Sequence, residues 1–512
     1  MSVSESSRLS AVSPERARHG RARTRCRSPL PALALVVAAH LVVAWFSRPF
    51  PHWADPTRVF EYARLYPDVP LDHHALRLGT LLPARAAIEL LGFGTVAYYV
   101  FPLIMGTLLV VSTFALAEML FGRAVAIAAS VVIVLNPYIV ESYKYVTGWQ
   151  LMPDIPAAAL FTTGVVCLLH GARARTAGRS WVGEASSFAA AGGFLGWAYL
   201  AREYTAFLFP LILLVTVAWR IRWFKFAYVA VPMLAALGLE LVTSRAVYGD
   251  PLARLNVASE HGGALPDPVT RVQAVLVGAR AMDHATVGPL LVLFLAAALA
   301  AVLFRRREHV LLSVWILLLY VPVMFLSGLI DPAEVSLRGW LPRYWTIVYP
   351  AVAVGGTAAL LTLWRTLRAR VAPARRRASV RAASILVVGA VVWYSLPTLA
   401  TVTGDKGGGD DWWAVTEWIS ENQTDIDAVW TDIRSNQTLS VYQYGRLGGG
   451  PLWDRPVGRY PSRGAPYPEP PEGERIAMVA APVWGPQTLP DGDSGWERVL
   501  TAGDLIVFVS TP

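Results

Sequence analysis

The sequence predicts an α-helical polytopic membrane protein that ends in a small α/β domain. Of its 512 residues, 54% are hydrophobic and only 16% are charged, a composition that does not fit a soluble protein of this length. Apolar stretches of about 17 to 25 residues recur along the chain, and each can cross the hydrocarbon core of a bilayer as a helix. A transmembrane barrel, which is built from short alternating strands, is excluded.

About eleven transmembrane helices are expected, so the two termini lie on opposite sides of the membrane. Basic residues concentrate in alternate gaps, as in Arg305-Arg306-Arg307 and the arginine-rich segment 365–381, and these gaps are predicted to be cytoplasmic. The basic residues behind the net charge of +9 therefore orient the chain in the cell (plasma or inner) membrane and do not indicate a nucleic-acid partner. The expected spans are 30–47, 96–120, 124–140, 153–170, 184–200, 204–219, 226–243, 288–304, 309–327, 345–364 and 384–400.

This topology divides the chain into three regions. Residues 1–29 form a basic cytoplasmic tail, residues 30–400 form the transmembrane domain, and residues 401–512 form an extracytoplasmic α/β domain. The long polar loops of the transmembrane domain all face outward, at 48–94, 244–287 and 328–344. In the last region an amphipathic helix is predicted at 411–422, followed by strands at 428–430, 439–442, 475–480 and 504–510.

Since the polar loops face outward, the chemistry is expected on the outer side. No nucleotide-binding glycine motif is found, so ATP or a sugar nucleotide is not expected as a direct substrate. The first outer loop begins with Asp55-Pro56, a pair typical of a helix start. Asp55 is therefore either a helix N-cap or a carboxylate held at the membrane surface, where it can take a proton from an acceptor hydroxyl.

A first span followed at once by such an Asp resembles the GT-C glycosyltransferases, in particular the branch with protein O-mannosyltransferases and the lipid A aminoarabinose transferase. These polytopic enzymes use a polyprenyl-phosphate-linked sugar. The resemblance covers the layout of about residues 30 to 400 and implies that Asp55 is the catalytic base. The second acid that some members have at the next position is replaced here by Pro56.

The resemblance also gives weight to Asp154, which precedes the fourth span at a place where many members have a second functional acid. We therefore predict that Asp154 is a second catalytic residue, which positions the acceptor or a metal ion beside Asp55. The alternative is a helix cap. Arg202 lies between two spans with almost no loop, at the outer interface where a lipid phosphate would be. We expect it to bind the donor phosphate, unless it only pairs with its neighbour Glu203.

Arg343-Tyr344 resembles the Arg-Tyr that precedes a proline-containing span in the family. There the arginine is expected to hold the phosphate of the donor, a task that suits a bidentate guanidinium better than a lysine. We therefore predict that Arg343 and Tyr344 belong to the donor-phosphate site. The alternative is a basic and aromatic anchor at the membrane interface.

Asp72-His73-His74 in the first outer loop has metal-ligand chemistry. Adjacent residues on a helix point about 100° apart and cannot readily share one ion, so no metal or other cofactor is expected, with a divalent metal as the less favoured alternative. His74 and Arg77 would lie on one face of a helix and are predicted to bind substrate phosphate or hydroxyl groups. Alternatively, Arg77 snorkels to the interface. An amphipathic helix is expected after Pro83.

The combined expectation is an inverting glycosyltransferase that moves a sugar from a polyprenyl-phosphate donor to a glycan, lipid or protein acceptor. Asp55 would remove the acceptor proton, while Arg343 and Arg202 would stabilise the departing phosphate. Two other functions stay open from the sequence. They are a transporter or flippase, whose acidic and basic groups would line a path through the membrane, and a non-catalytic membrane scaffold.

Overall fold

The computed structural model has a large helical part followed by a small α/β part. It describes residues 28–47, 51, 55–136, 151–176, 180–260, 288–326, 342–370, 409–460, 472–481 and 495–511, together with a few isolated positions. The helices of the first part are α1 (Leu30–Ser47), α2 (Asp55–Leu65), α3 (Leu78–Leu91), α4 (Thr95–Phe121), α5 (Arg123–Val134), α6 (Asp154–Thr176), α7 (Trp181–Ala201), α8 (Pro210–Ala218), α9 (Phe226–Tyr248), α10 (Ala253–Glu260), α11 (Gly288–Phe304), α12 (Arg307–Met324) and α13 (Tyr349–Arg370). Short 3₁₀-helices at Glu203–Leu208 and Pro342–Val348 lead into α8 and α13.

The helices agree with the expected polytopic membrane fold. Ten of the eleven expected spans coincide with described helices, and the last, 384–400, lies almost entirely outside the described residues. Five helices are long and apolar enough to cross a membrane: Thr95–Phe121, Asp154–Ala174, Trp223–Tyr248, Arg307–Met324 and Arg343–Ala369. Shorter apolar helices at Leu30–Phe46, Arg123–Val134, Glu203–Ala218 and Leu290–Phe304 accompany them.

Helices α6 and α7 form the centre of the helical part. They pack along each other, α6 also packs on α4, and α7 on α9, while α11 and α12 pack on α13. One apolar core of small and aliphatic side chains runs through these helices. The first residue of α6 and the residue after α7 are Asp154 and Arg202, so this packing brings two charged groups together at one end of the pair.

Helix α3 contacts α7 directly. The predicted start of α3, after Pro83, was wrong. It begins at Leu78, so Pro83 lies inside it rather than before it. Pro83 has no N–H for the carbonyl of Gly79 four residues earlier, and that carbonyl accepts instead from Trp197 Nε1 at 3.1 Å. A Cβ on Gly79 would lie 2.3 Å from the backbone nitrogen of Ala201, so only glycine permits this approach.

The C-terminal part is the expected α/β domain. It contains α14 (Gly409–Asn422), β1 (Ala428–Thr431), α15 (Ile433–Tyr442), β2 (Val457–Arg459), β3 (Ile476–Ala480), β4 (Trp496–Ala502) and β5 (Leu505–Ser510). The sheet order is β2-β1-β3-β5-β4; β1 is parallel to both its neighbours, and β5 is antiparallel to both of its own. The sheet has a buried layer on each face, and α14 and α15 pack into one of them.

The strand predicted at 439–442 is wrong, because these residues end helix α15. A short apolar run does not distinguish a strand from one turn of a buried helix. The overlooked signal is Asp432, whose carboxylate accepts from the backbone N–H groups of Arg434 and Ser435 as an N-cap. Two strands, β2 and β4, were not predicted.

Candidate active site

The candidate site is built around an ion pair between Asp55 and Arg343. Asp55 is the first residue of α2, and Arg343 opens the 3₁₀-helix before α13. Arg343 Nη1 donates to Asp55 Oδ2 at 2.9 Å, although 288 residues separate them in the sequence. The side chains keep 28% and 17% of their surface exposed. Among the described residues, no acceptor lies within hydrogen-bonding distance of the buried Nε of Arg343.

His74 and Arg77 form a second layer behind the carboxylate of Asp55. His74 is fully buried; its Nε2 lies 3.2 Å from Asp55 Oδ1, a contact too poorly aligned for a hydrogen bond, and it has no other partner among the described residues. Its Nδ1 lies 3.1 Å from Arg77 Nη1. A guanidinium can only donate, so Nδ1 accepts, and neutral His74 carries its proton on Nε2, which faces Asp55.

The electrostatics of this layer keep His74 neutral and Asp55 ionised. Burial lowers the pKa of His74 to about 4 against the opposing effect of the nearby Asp55 carboxylate. Burial would raise the pKa of Asp55, but its contacts with His74 and Arg343 together hold that pKa well below the usual range. Burial and the nearby charge of Arg202 lower the pKa of Arg77 to about 10, so Arg77 is charged at neutral pH.

A second Asp–Arg pair, between Asp154 and Arg202, is buried completely. Arg202 Nε and Nη2 donate to Asp154 Oδ1 and Oδ2 at 3.0 Å each, and the Tyr204 hydroxyl donates to Oδ1 at 3.1 Å. The side chains of Asp154 and Arg202 are 0% and 1% exposed. This pair is bidentate and already satisfied on the carboxylate side.

Tyr344 connects the two pairs. The guanidinium carbons of Arg202 and Arg343 lie 5.7 Å and 5.6 Å from the centroid of its ring, and the Tyr204 ring is 5.7 Å away. Both arginines thus have cation–π contact with one aromatic ring. Tyr344 is itself buried, and its ring contacts both arginines.

Glu203 does not pair with Arg202, contrary to the alternative considered from the sequence. It accepts from Arg254 Nη2 at 3.0 Å, and Arg254 Nη1 also donates to Glu240 at 3.1 Å. Arg254 lies on α10, in the outer loop predicted from 244. Through its hydrogen bonds to the Tyr199 carbonyl and to Glu240, Arg254 connects α10 to α7 and α9.

Asp72, His73 and His74 have potential metal-ligand atoms within 4.8 Å of one another. Residues 73–76 form a turn rather than the helix assumed from the sequence, and the two rings lie 3.7 Å apart. The donor set fits a cation poorly, however. Both His74 nitrogens already face protein groups, and one of them faces the positive charge of Arg77.

The structure brings all seven residues predicted for the site into one region. They are Asp55, His74, Arg77, Asp154, Arg202, Arg343 and Tyr344. Their catalytic and binding roles stay predictions. The sequence analysis did not predict Tyr204 or Arg254 as site residues. Tyr204 could have been found, because it follows Arg202-Glu203 directly in the sequence. For Arg254 the sequence offered no signal beyond its charge.

No protein-family model matches the sequence, and no curated protein matches it. Among solved structures, the chain is similar to ArnT from Cupriavidus metallidurans bound to undecaprenyl phosphate, with a TM-score of 0.57, 14% identity, and coverage of 94% of this chain and 98% of that chain. The apo state of the same protein gives a TM-score of 0.57 with 15% identity and the same coverage. The oligosaccharyltransferase of Archaeoglobus fulgidus gives 0.47 with 13% identity, over 85% of this chain and 61% of that one. The chain thus has the fold of the GT-C glycosyltransferases.

Proposed function

We propose that the chain is an integral membrane glycosyltransferase that moves a sugar from a polyprenyl-phosphate donor to an acceptor on the outer face, with inversion at the sugar carbon. The observation that carries this proposal is the Asp55–Arg343 pair. A carboxylate and a guanidinium converge from distant parts of the chain at a place that is only partly buried. A base for a hydroxyl and a cation for a phosphate are the two groups that this transfer requires.

Arg343 is the proposed phosphate ligand. Its Nη1 donates to Asp55, and its buried Nε has no hydrogen-bond acceptor among the described residues. The guanidinium therefore keeps N–H donors that a phosphate can bind, and the phosphate competes with Asp55 for Nη1. The fold relative that binds undecaprenyl phosphate supports a donor of this class. The sugar and the acceptor, whether glycan, lipid or protein, are left open.

Donor binding would then activate the base. With Arg343 drawn to the phosphate, Asp55 loses one of the two partners that lower its pKa, and the phosphate charge raises that pKa further. In the reaction the acceptor oxygen forms a bond to the anomeric carbon and gives its proton to Asp55. The bond from this carbon to the phosphate oxygen breaks, and the polyprenyl phosphate leaves with the electron pair against Arg343.

The remaining residues are assigned to positioning. Asp154, Arg202 and Tyr204 form a buried frame under Tyr344, which in turn lies against Arg343. His74 and Arg77 orient the Asp55 carboxylate from behind rather than touching substrate, since both are buried. This reading revises the expectation that Asp154 acts catalytically and that Arg202, His74 and Arg77 bind substrate directly.

We further propose that transfer needs no metal ion. The argument is the donor set: at Nδ1 of His74 a cation would have to displace the guanidinium of Arg77, and Nε2 of His74 already faces Asp55. The lipid phosphate leaves as a weakly basic anion, and Arg343 supplies the charge that a metal would otherwise provide. A chelator is expected to leave the transfer rate unchanged.

The test is transfer of radiolabelled sugar from a panel of polyprenyl-phosphate hexoses and pentoses in purified membranes, comparing wild type with Asp55→Asn. We expect transfer, or slow hydrolysis of one donor, that disappears in the variant. Equal turnover by Asp55→Asn would overturn the assignment of the base. No turnover by folded wild-type protein with any donor would favour the transporter or scaffold functions instead.

A further inference from the structure

The C-terminal domain holds the end of the helix that carries Asp55. Helix α2 begins at Asp55, and Arg64 lies in its last turn. Arg64 Nη1 donates to the Tyr444 hydroxyl at 3.1 Å. Its guanidinium carbon lies 4.6 Å from the centroid of the Phe93 ring and 5.6 Å from that of Tyr444. The basic end of α2 is therefore enclosed by an aromatic ring of the membrane part and one of the C-terminal domain.

The same segment of the C-terminal domain caps helix α4. The backbone N–H groups of Thr95 and Val96, at the start of α4, donate to the carbonyls of Gly445 and Arg446 at 3.2 Å and 3.0 Å. N–H groups in the first turn of a helix have no partner within the helix, so an external acceptor stabilises that end. The domain is thus joined to the helical part by main-chain hydrogen bonds.

Two glycines bring the backbones into direct contact beside these hydrogen bonds. A Cβ on Gly448 would lie 2.5 Å from the Cα of Gly92, and a Cβ on Gly92 would lie 2.8 Å from the Cα of Gly448. Both residues have positive φ, at +70° and +80°, where a side chain is strained in any case. The junction therefore accepts no side chain at either position.

Apolar packing continues the junction to the middle of α2. Val441 of α15 belongs to the same buried cluster as Val59 and Phe60 of α2 and Leu81 of α3. Phe60 also stacks on Phe93, with ring centroids 4.5 Å apart. One face of α2 is therefore in contact with α3, α4 and the C-terminal domain along its length.

From this geometry we infer that the C-terminal domain positions the catalytic carboxylate through α2, with Arg64 and Tyr444 as positioning residues. Helix α2 has 11 residues and is about 16 Å long, so a change in the direction of its held end displaces Asp55 at the other end. Displacement of a reacting group by about 1 Å can lower a rate by about 10²-fold. The inference rests on the proposed function for its catalytic part. It gives the domain a role that does not require contact with the acceptor.

The experiment compares two variants at the junction with two matched controls. Tyr444→Phe removes the hydroxyl that binds Arg64, and Gly448→Ala places a Cβ against Gly92. Tyr460→Phe removes a hydroxyl that donates to Val479 O inside the same domain, and Gly450→Ala adds a Cβ in open space in the same loop. The assays are hydrolysis of an undecaprenyl-phosphate sugar, with water as acceptor, and deuterium exchange of the amides of residues 55–65.

Water needs no acceptor site, so hydrolysis separates positioning of the base from binding of an acceptor. We expect kcat for hydrolysis to fall about fivefold in Tyr444→Phe and about tenfold in Gly448→Ala, with an unchanged donor KM and faster exchange in α2. Both controls should stay within twofold of wild type. Hydrolysis at the control rate in the two junction variants would overturn the inference, and so would unchanged exchange in α2. If wild type neither transfers sugar from any donor nor hydrolyses one, the proposed function fails, while the exchange comparison still decides whether the domain holds α2.

Discussion

Two Asp–Arg pairs of the candidate site, Asp154–Arg202 and Asp55–Arg343, have the same chemistry and opposite surroundings. Asp154 and Arg202 are joined by two hydrogen bonds, and almost none of their surface is exposed. Asp55 and Arg343 are joined by one hydrogen bond and remain partly open to the outside of the protein. A guanidinium nitrogen of Arg343 has no acceptor among the described residues, whereas both oxygens of Asp154 are occupied.

This difference in burial indicates that one pair is structural and the other is reactive. Breaking a buried ion pair leaves an isolated charge in a low-dielectric interior and costs about 3–5 kcal/mol. A partly exposed pair exchanges its partners more easily, because solvent or a ligand can replace either group. The Asp154–Arg202 pair therefore suits a structural role. The Asp55–Arg343 pair suits a reaction in which a phosphate replaces Asp55 as the partner of Arg343.

Asp55→Asn should give the largest loss of activity at the smallest structural cost. Removing a general base lowers a rate by about 10²–10⁴-fold, and we expect about 10³-fold in sugar transfer. Because the pair is partly exposed, the apparent Tm should change by only a few degrees. Transfer assays and thermal unfolding on one preparation measure both quantities. A large drop in Tm together with the activity loss would mean that Asp55 has a structural role rather than a catalytic one.

Asp154→Asn should do the reverse, with stability as the primary loss. The variant leaves Arg202 buried without a counter-charge, and we expect destabilisation of about 3–5 kcal/mol. Thermal unfolding in detergent detects this, with Asp504→Asn in an exposed turn as the matched control. A variant with wild-type Tm and no transfer would contradict the structural role and indicate that Asp154 is catalytic.

His74 makes stability near the Asp55–Arg343 pair depend on pH. Its pKa is lowered from 6.5 to about 4 in the folded protein, chiefly by burial, so the unfolded chain binds more protons between these values. Its contribution to stability is complete above pH 6.5 and is lost as the pH falls towards 4, by at most about 3 kcal/mol. His74→Gln should flatten the dependence of Tm on pH between 6.5 and 4. Parallel curves for wild type and variant would rule this contribution out.

Arg343→Lys should weaken donor use while keeping the charge. A lysine cannot offer two N–H groups in a fixed fork, so we expect the donor KM to rise about tenfold. The same substitution at Arg202 should lower Tm instead, because it breaks the bidentate pair with Asp154. Steady-state kinetics and unfolding of both variants test this. Equal donor KM values for wild type and Arg343→Lys would argue against a phosphate contact.

Tyr204→Phe should have the smallest effect. It removes one of the hydrogen bonds to Asp154 and leaves the bidentate pair in place, so a loss of about 1 kcal/mol of stability is expected. Transfer should stay within about twofold of wild type. A loss of activity near that of Asp55→Asn would mean that Tyr204 acts in the reaction itself.

Much of the fold follows from local sequence signals. Long apolar runs determine where the membrane helices lie, because a bilayer satisfies no backbone hydrogen bonds. Asp55 and Arg343 are singled out by their positions next to spans together with the resemblance to the GT-C glycosyltransferases. The prediction failed at 439–442, where the short segment Leu-Ser-Val-Tyr fits a strand or a helix equally well and the N-cap Asp432 favours the helix.

Partners in the site could not be predicted, since they depend on packing between distant helices. Arg202 has Glu203 beside it in the sequence, yet the packing of α6 on α7 gives it Asp154 and leaves Glu203 to Arg254. His74 and Arg77 also had the right spacing, but the turn at 73–76 places His74 against Asp55, and Arg77 contacts His74 in the interior rather than pointing outward. Residue type and position indicated which groups matter, and tertiary contacts determined what each one does.

The most direct test of the central claim is the affinity of the free lipid product. If Asp55 and a lipid phosphate compete for Arg343, Asp55→Asn removes both the competitor and a repelling negative charge. The account predicts that undecaprenyl phosphate binds Asp55→Asn several-fold more tightly than wild type, while Asp504→Asn binds it as wild type does. Equal or weaker binding by Asp55→Asn would contradict the exchange of Asp55 for phosphate at Arg343.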